Sequence, residues 1–301
     1  GRQPARPLLL SGLMLKPQLG MNEVRMLQPL RSVASNAGVA MELSHKQLAL
    51  VPASSDLPRV LIFQRQRFTY ADSLPILRNA LQSGAVLVGE YDDDPSRFPD
   101  TAANNYLKFR AMHAMQVSTA PLAKAIRPHN PETIVFENAV EFLPHQPVAW
   151  PEPGDGQPLR LFFGAANRGA DWAPWMAALN QALAADPSGW WVEVVHDQDF
   201  FDALHTRQKT FTPTCGYQHY QEVMGRCHVA FLPLADTPFN RIKSDLKLVE
   251  TASCGMAVLA SHVVYGETFA SGCAGVSFQS EQELIAALLQ WRADPQSGCQ
   301  L

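Results

Sequence analysis

The chain has 301 residues, 47% of them hydrophobic and 17% charged, with a formal net charge of −4. That composition excludes a disordered chain and gives no global basic field for nucleic acid; the length suits one large domain or two of about 150 residues. The five cysteines, Cys215, Cys227, Cys254, Cys273 and Cys299, all lie in the second half and form no CxxC pair. This argues against a disulfide framework or a zinc site and fits a reducing cytosol.

No apolar run approaches the ~20 residues of a membrane span. Arg2 and Arg6 before residues 8–15 resemble a signal peptide, but the run is short, ends at Lys16-Pro17 and has no small-residue cleavage site. It reads as a first strand, over 8–13. The chain opens on Gly1 without an initiator Met, so it reads as a fragment of a longer polypeptide. A loop over 16–23 follows, carrying Gly20 and Asn22, then a helix over 24–36 in which Pro29 implies a kink or a late start. Strands are predicted over 39–43 and 60–63, a helix over 72–82 closed by Gly84, and a strand over 85–88.

That last strand runs into Gly89-Glu90-Tyr91-Asp92-Asp93-Asp94-Pro95. Carboxylates at the end of a buried parallel strand stand where α/β folds keep their chemistry. They are also what a solvated acidic turn looks like. Asp92 and Asp94 fit a loose DxD pattern that could hold a divalent metal and a nucleoside diphosphate. Beyond them come a helix over 105–115, a strand over 116–118, a helix over 119–129 capped by Thr119 or Ser118, and a strand over 134–136. Residues 139–158 carry Pro144, Pro147, Pro151, Pro153 and Pro158 and read as a linker.

The pattern then restarts. A strand over 159–163 leads into Gly164-Ala165-Ala166-Asn167-Arg168-Gly169, a small-residue loop that is not GxGxxG but still permits close backbone approach to a ligand, with Arg168 placed to reach it. Helices are predicted over 171–184, 200–207, 217–226 and 281–291. Strands are predicted over 191–195, 229–232, 257–260 and 276–278, with a short strand or turn at Phe211 and a variable loop after 260. Strict β–α alternation means a parallel, doubly wound sheet in each half, although the halves share no sequence repeat.

Residues 237–250 sit between two buried strands and read as a helix with Asn240 as N-cap and Pro238 just outside. Lys243, Lys247 and Glu250, at i, i+4 and i+7, share a face. Ile242, Leu246 and Val249 form the adjoining buried stripe. First-turn N–H groups and two lysines aimed at one place make a phosphate site, which Asn240 and Ser244 would also line. The same lysines could be a solvated face with Lys247 paired to Glu250. Against that, two lysines at i, i+4 repel unless an anion lies between them.

Two Rossmann-like halves, a proline-rich junction and this late helix resemble the GT-B glycosyltransferases, family 4-like. The segment from Lys247 to Ser261 resembles the family's K-x-x-E-x-x-x-x-G-x-x-V-x-A-S, Gly164 through Arg168 its Gly-x-x-x-Arg, and Glu137-Asn138-Ala139 its P-N-A. The resemblance spans about residues 115–292. It implies two Rossmann-like, doubly wound α/β domains facing each other across a cleft: 1–138 on the acceptor side, a linker over 139–158, and 159–301 binding the nucleotide sugar. By resemblance Glu250 meets the ribose, while Arg168 and Lys247 meet the diphosphate. Lys243, Asn240 and Ser244 are added by helix geometry. Eight residues before Glu250, where the family often carries a second Glu attending the donor sugar, this chain has Ile242.

The expectation is a transferase moving a sugar from a nucleoside-diphosphate sugar to an acceptor hydroxyl in glycan or glycoconjugate assembly. The resemblance implies retention of configuration. Catalysis would be electrostatic, through Arg168, Lys243 and Lys247, with no metal and no cofactor. The acceptor (a glycan, a lipid-linked glycan or a protein) would enter near Gly20, Asn22 and Arg25, with Asp92 or Asp93 as general base. Nucleic acid is not an expected partner. The expected location is the cytoplasm, compatible with peripheral contact at the inner face of a membrane. Two alternatives stand beside this: a GT-A-type enzyme using Asp92 and Asp94 for Mn²⁺, and a non-catalytic nucleotide-sugar-binding domain of a larger protein.

Overall fold

The computed structural model describes residues 7–16, 19–48, 57–141, 148–152, 154–270 and 275–299. The chain packs as two compact units. The first comprises residues 1–141 with Ile242–Ser244, the second residues 142–241 and 245–301. Residues 142–147 and 153 of the proline-rich stretch, and Cys273, fall outside the described residues.

The first unit holds six parallel strands: β1 Leu8–Leu13, β2 Val39–Ser44, β3 Arg59–Gln64, β4 Val86–Tyr91, β5 Ala114–Val117 and β6 Thr133–Val135. Their order is β2-β1-β3-β4-β5-β6. The second unit holds β7 Leu159–Gly164, β8 Trp190–Val195, β9 Lys209–Thr212, β10 Val229–Leu232, β11 Ala257–Ser261 and β12 Gly275–Phe278, in the order β12-β11-β10-β7-β8-β9. The second is the nucleotide-binding order; the first is the flavodoxin-like order with one strand added. Each order reverses once, between β1 and β3 and between β7 and β10. Ligands of such sheets bind outside the carboxyl ends of the strands at those reversals.

The apolar runs are strands because both faces of each sheet are covered. Side chains alternate, so one run feeds two cores. In the second unit Leu161, Phe163, Val192, Val194, Phe231 and Leu259 pack on one face, where Phe163 stacks on Phe200 at 3.7 Å. Phe162, Val195, Ala230, Leu232, Val258 and Ala260 pack on the other. In the first unit Leu61, Phe63 and Leu87 face one core, Leu10 and Ile62 the other.

Several boundaries differ from the sequence reading. The loop expected over 16–23 is already helical from Leu19, and Pro29 is accommodated by a π-turn at Glu23–Leu27 before the helix resumes as Gln28–Ala34. The helix expected over 105–115 is broken, because Asn105 and Tyr106 have φ of 48° and 56° and Tyr106 stacks on His129 at 3.4 Å. Only Leu107–Arg110 is helical there, and β5 starts at Ala114. Pro174 divides the helix over 171–184 into Gly169–Trp172, a 3₁₀ turn and Met176–Ala185.

The variable loop after β11 is helical, His262–Ala270, kinked at Val264 with φ 73°. A β-branched residue in that region is strained by about 1–3 kcal/mol. Val264 also packs against the core of the second unit, so Val264→Gly is expected to change stability by less than about 1 kcal/mol, the relieved strain offset by lost packing and by glycine's backbone entropy, as urea unfolding would show.

Candidate functional site

The residues singled out for the nucleotide gather at the reversal point of the second sheet. β7 ends at Gly164, where a Cβ would meet the rings of Phe162 and Tyr220 at 2.5 and 2.7 Å. The turn then passes through Asn167, with φ 56°, to Arg168. Arg168 Nη1 donates to Asp171 Oδ2 and to Asn240 Oδ1, both at 3.0 Å, and its guanidinium lies 5.7 Å from the Phe239 ring. Buried Asp171 also accepts from Asn240 Nδ2 at 2.7 Å and from the Ala235 N–H at 2.9 Å. One carboxylate thus ties the loop after β7 to the loop after β10 and fixes Arg168. Asp171 escaped the sequence reading because nothing in its spacing distinguishes it from a helix-start acid.

The helix expected over 237–250 is not continuous. Asn240–Ile242 form a 3₁₀ turn, and the α-helix begins at Leu246 and ends at Ser253. The cause is local: Asn240 Nδ2 folds back to the Ala235 carbonyl at 2.9 Å and Arg241 Nε pairs with Asp236 at 2.5 Å, closing a turn instead of propagating a helix. Asn240 is therefore not the N-cap; Asp245 holds that position. Lys243 and Ser244 precede the helix, so Lys243 does not share a helical face with Lys247 and Glu250. The first unit claims both residues: Asn138 Nδ2 donates to Ser244 Oγ at 2.7 Å, and Lys243 joins Arg65 and Arg25 in opposing the rise that burial imposes on the Asp92 carboxyl. Ile242 packs on the core of that unit, with its carbonyl accepting from Thr119 Oγ1 at 2.8 Å. That packing is the physical reason for an apolar side chain there.

Lys247 and Glu250 do lie together. Lys247 Nζ donates to the Gly164 carbonyl and to Tyr220 Oη, the latter at 3.3 Å. Glu250, 4% exposed, accepts from Tyr217 Oη at 2.5 Å. Burial pulls Lys247 down to about 8; Glu250 opposes the shift and Arg168 adds to it. Burial pushes Glu250 up, against the Tyr217 hydrogen bond and Lys247. Two cations and a carboxylate are held at the carboxyl ends of β7 and β10, and the Lys247 ammonium is occupied only by uncharged oxygens, the Gly164 carbonyl and the Tyr220 hydroxyl, which an anion could replace.

The residues expected on the acceptor side lie in the first unit, at the reversal point of its sheet. The strand predicted over 85–88 runs on to Tyr91, so Glu90 is a strand residue and is buried. Arg25 Nε donates to Glu90 Oε1 at 2.7 Å; Arg25 Nη1 reaches the Phe136 carbonyl at 2.8 Å and Asn138 Oδ1 at 2.9 Å. Asn22 Nδ2 donates to the Leu15 carbonyl at 3.1 Å. Gly20 lies two residues earlier in the same helical turn. Arg65 takes up Asp93 and lies 3.4 Å from Asp92, while Asp94 caps a 3₁₀ turn by accepting from the Ser96 N–H at 2.9 Å. Asp92 and Asp94 are thus engaged separately, which does not fit the DxD metal reading.

Both units are parallel and doubly wound, one in nucleotide-binding strand order. That arrangement is the GT-B fold. No family model and no curated protein sequence matches the chain. Its likeness is to solved structures. WaaG, described as a glycosyltransferase involved in lipopolysaccharide biosynthesis, is 13% identical with a TM-score of 0.59, over 97% of this chain and 93% of its own. Anabaena HepE, in complex with UDP-glucose, is 14% identical with a TM-score of 0.60, over 97% and 91%. The trehalose-6-phosphate synthase OtsA is 11% identical with a TM-score of 0.57, over 97% and 94%. Among the described residues no helix is long and apolar enough to cross a membrane.

Proposed function

We propose that the protein transfers a sugar from a nucleoside-diphosphate sugar to an acceptor hydroxyl. The observation that carries this reading is the convergence of Arg168, Lys247 and Glu250 at the reversal point of the second sheet. Solved structures of the same fold are described with UDP-glucose or as glycosyltransferases, which supports it. Glu250 takes the ribose hydroxyls. Arg168 and Lys247 take the diphosphate and stabilise the charge that grows on it as the glycosidic bond breaks. Those two cations do the work of a divalent metal, so transfer proceeds without one; retention of configuration is what the family resemblance implies. Gly164 lets the diphosphate approach the backbone, and Asn240 acts through Arg168. Lys243 and Ser244 belong to the acceptor side, with Gly20, Asn22 and Arg25. Asp92 and Asp93, bound to Arg65, shape that side. The acceptor is a glycan, free, lipid-linked or on a protein, and the reaction belongs to glycan assembly in the cytoplasm.

A second reading, nucleotide-sugar binding without transfer, is favoured by one observation: Ile242 is packed into the core of the first unit, where the family resemblance places a carboxylate for the donor sugar. A thermal-shift screen with UDP, GDP, dTDP and CMP tests the shared step. One nucleoside diphosphate is expected to raise the melting temperature of the wild type and much less that of Glu250→Ala. If none does, both readings fail. Binding without hydrolysis or transfer on an acceptor panel selects the second.

A further inference from the structure

Lys247 and Glu250 stand about one turn apart on the helix Leu246–Ser253. Opposite charges at i, i+3 attract, and burial strengthens the attraction. The two do feel each other, since each opposes the shift that burial imposes on its neighbour. Yet among the described residues no ion pair joins them, and each bonds to a tyrosine instead.

Both tyrosines come from the helix Tyr217–Met224, where they repeat the i, i+3 spacing of the charged pair. Tyr217 Oη donates to Glu250 Oε1 at 2.5 Å, and Tyr220 Oη accepts from Lys247 Nζ at 3.3 Å. The two rings lie 6.4 Å apart and 15° from parallel. Tyr220 is fixed by the core: its ring packs edge-on against Phe162 at 5.5 Å, and its hydroxyl donates to the Gly164 carbonyl at 3.4 Å. Tyr217 is half-buried and stacks on that fixed ring.

Without the Tyr217 hydroxyl, buried Glu250 Oε1 loses its donor, and the cation beside it is Lys247. The other groups around the pair offer no substitute. Arg168, after β7, is committed to Asp171 and Asn240. Burial, and then Lys247, hold His196, after β8, below the usual histidine range, so it carries no charge. Burial keeps Cys215, Cys254 and Tyr265 protonated.

We propose that Tyr217 is a positioning residue whose hydroxyl holds Glu250 away from Lys247, leaving the carboxylate open to a ribose hydroxyl and the ammonium open to a phosphate. This rests on the nucleotide-sugar reading above and deepens it. Tyr217 occupies Oε1, while among the described residues Oε2 accepts no hydrogen bond and is left for the sugar. Phenylalanine at this position lets the two charges pair, and a nucleotide must then break an ion pair to enter.

The test uses the full chain as wild type, Tyr217→Phe and Tyr220→Phe. Affinities for UDP and 2′,3′-dideoxy-UDP are measured by calorimetry at neutral pH. The Lys247 ammonium is titrated by NMR in the ligand-free protein, and the same spectra show that each variant is folded. The wild type is expected to prefer UDP by about ten- to a hundredfold, the effect of a hydrogen bond to a charged group. Tyr217→Phe is expected to bring that ratio below about threefold. It is also expected to raise the Lys247 titration about one unit above its place near 8, because a paired carboxylate favours the ammonium. Tyr220→Phe leaves the Tyr217–Glu250 bond in place and keeps the UDP preference. The proposal is overturned if Tyr217→Phe retains the wild-type ratio or leaves Lys247 titrating near 8. It is equally overturned if Tyr220→Phe erases the ratio, the tyrosines then acting through the helix as a whole. If the wild type binds no UDP, the nucleotide reading fails, and the Lys247 titration still decides whether Tyr217 separates the pair.

Discussion

Lys247→Ala is expected to lower kcat for sugar transfer by about a hundred- to a thousandfold, the usual effect of removing one preorganised stabiliser of developing charge. The argument rests on placement. The ammonium is buried, held by the Gly164 carbonyl and Tyr220, and faces the same loop as Arg168. Because it lies in low dielectric, an anion arriving there is worth more than at the surface. A pH signature follows. Lys247 titrates near 8 in the empty protein, below the usual lysine value, because burial disfavours the charge. Between that pH and about 10.4 the unfolded chain binds the extra proton, so this group makes the fold more stable as pH rises through the window and penalises it below. A bound diphosphate reverses the preference and draws the proton back. Nucleoside diphosphate affinity is therefore expected to fall above pH 8, by up to about tenfold per unit. Calorimetric titrations from pH 7 to 10 measure it; Lys247→Met should bind weakly with a flat profile. A flat profile in the wild type would remove Lys247 from the diphosphate.

The second large effect belongs to stability. Arg25→Ala is expected to cost about 3–5 kcal/mol, because Arg25 is buried and its loss strands Glu90, the Phe136 carbonyl and Asn138 together. Glu90 supplies the companion result. Burial and Asp92 lift its carboxyl to about 8, against Arg25, which lowers it. The folded protein then holds a proton that the unfolded chain releases above about pH 4.3. This contribution is complete below that pH and is lost as pH rises toward 8. Glu90→Gln keeps the shape without the ionisation, so it is expected to flatten stability between pH 5 and 8 and to be the more stable protein at pH 8. Urea midpoints at several pH values check both. A Glu90→Gln protein that still loses stability over that range would place the titration elsewhere.

The two halves differ in how far they could be read from sequence. The β–α alternation was legible throughout, because a strand buried on both faces must be a short continuous apolar run, as at Leu159–Gly164 and Val229–Leu232. The neighbourhood of Lys247, Glu250, Gly164 and Arg168 could be anticipated because each follows a predicted strand, and a parallel sheet delivers those positions to one edge. The helix over 237–250 was misread because its sequence carries helical spacing throughout. Spacing does not show that Asn240 is recruited by Asp171, which lies 69 positions away. Nor does the Pro29 signal show whether a helix kinks or takes a π-turn.

The sequence by itself determined the class of fold, the strands and the residues able to meet an anion, since period, capping and strand burial are local or nearly so. Tertiary structure decided strand order and with it the two reversal points, the assignment of Lys243 and Ser244 to the first unit, the role of Asp171, and the burial of Glu90 against Arg25. Each of these depends on pairings across long loops. The free energy of a buried carboxylate or guanidinium is set by what packs around it, and the residues that do so here are separated by tens to more than a hundred positions along the chain.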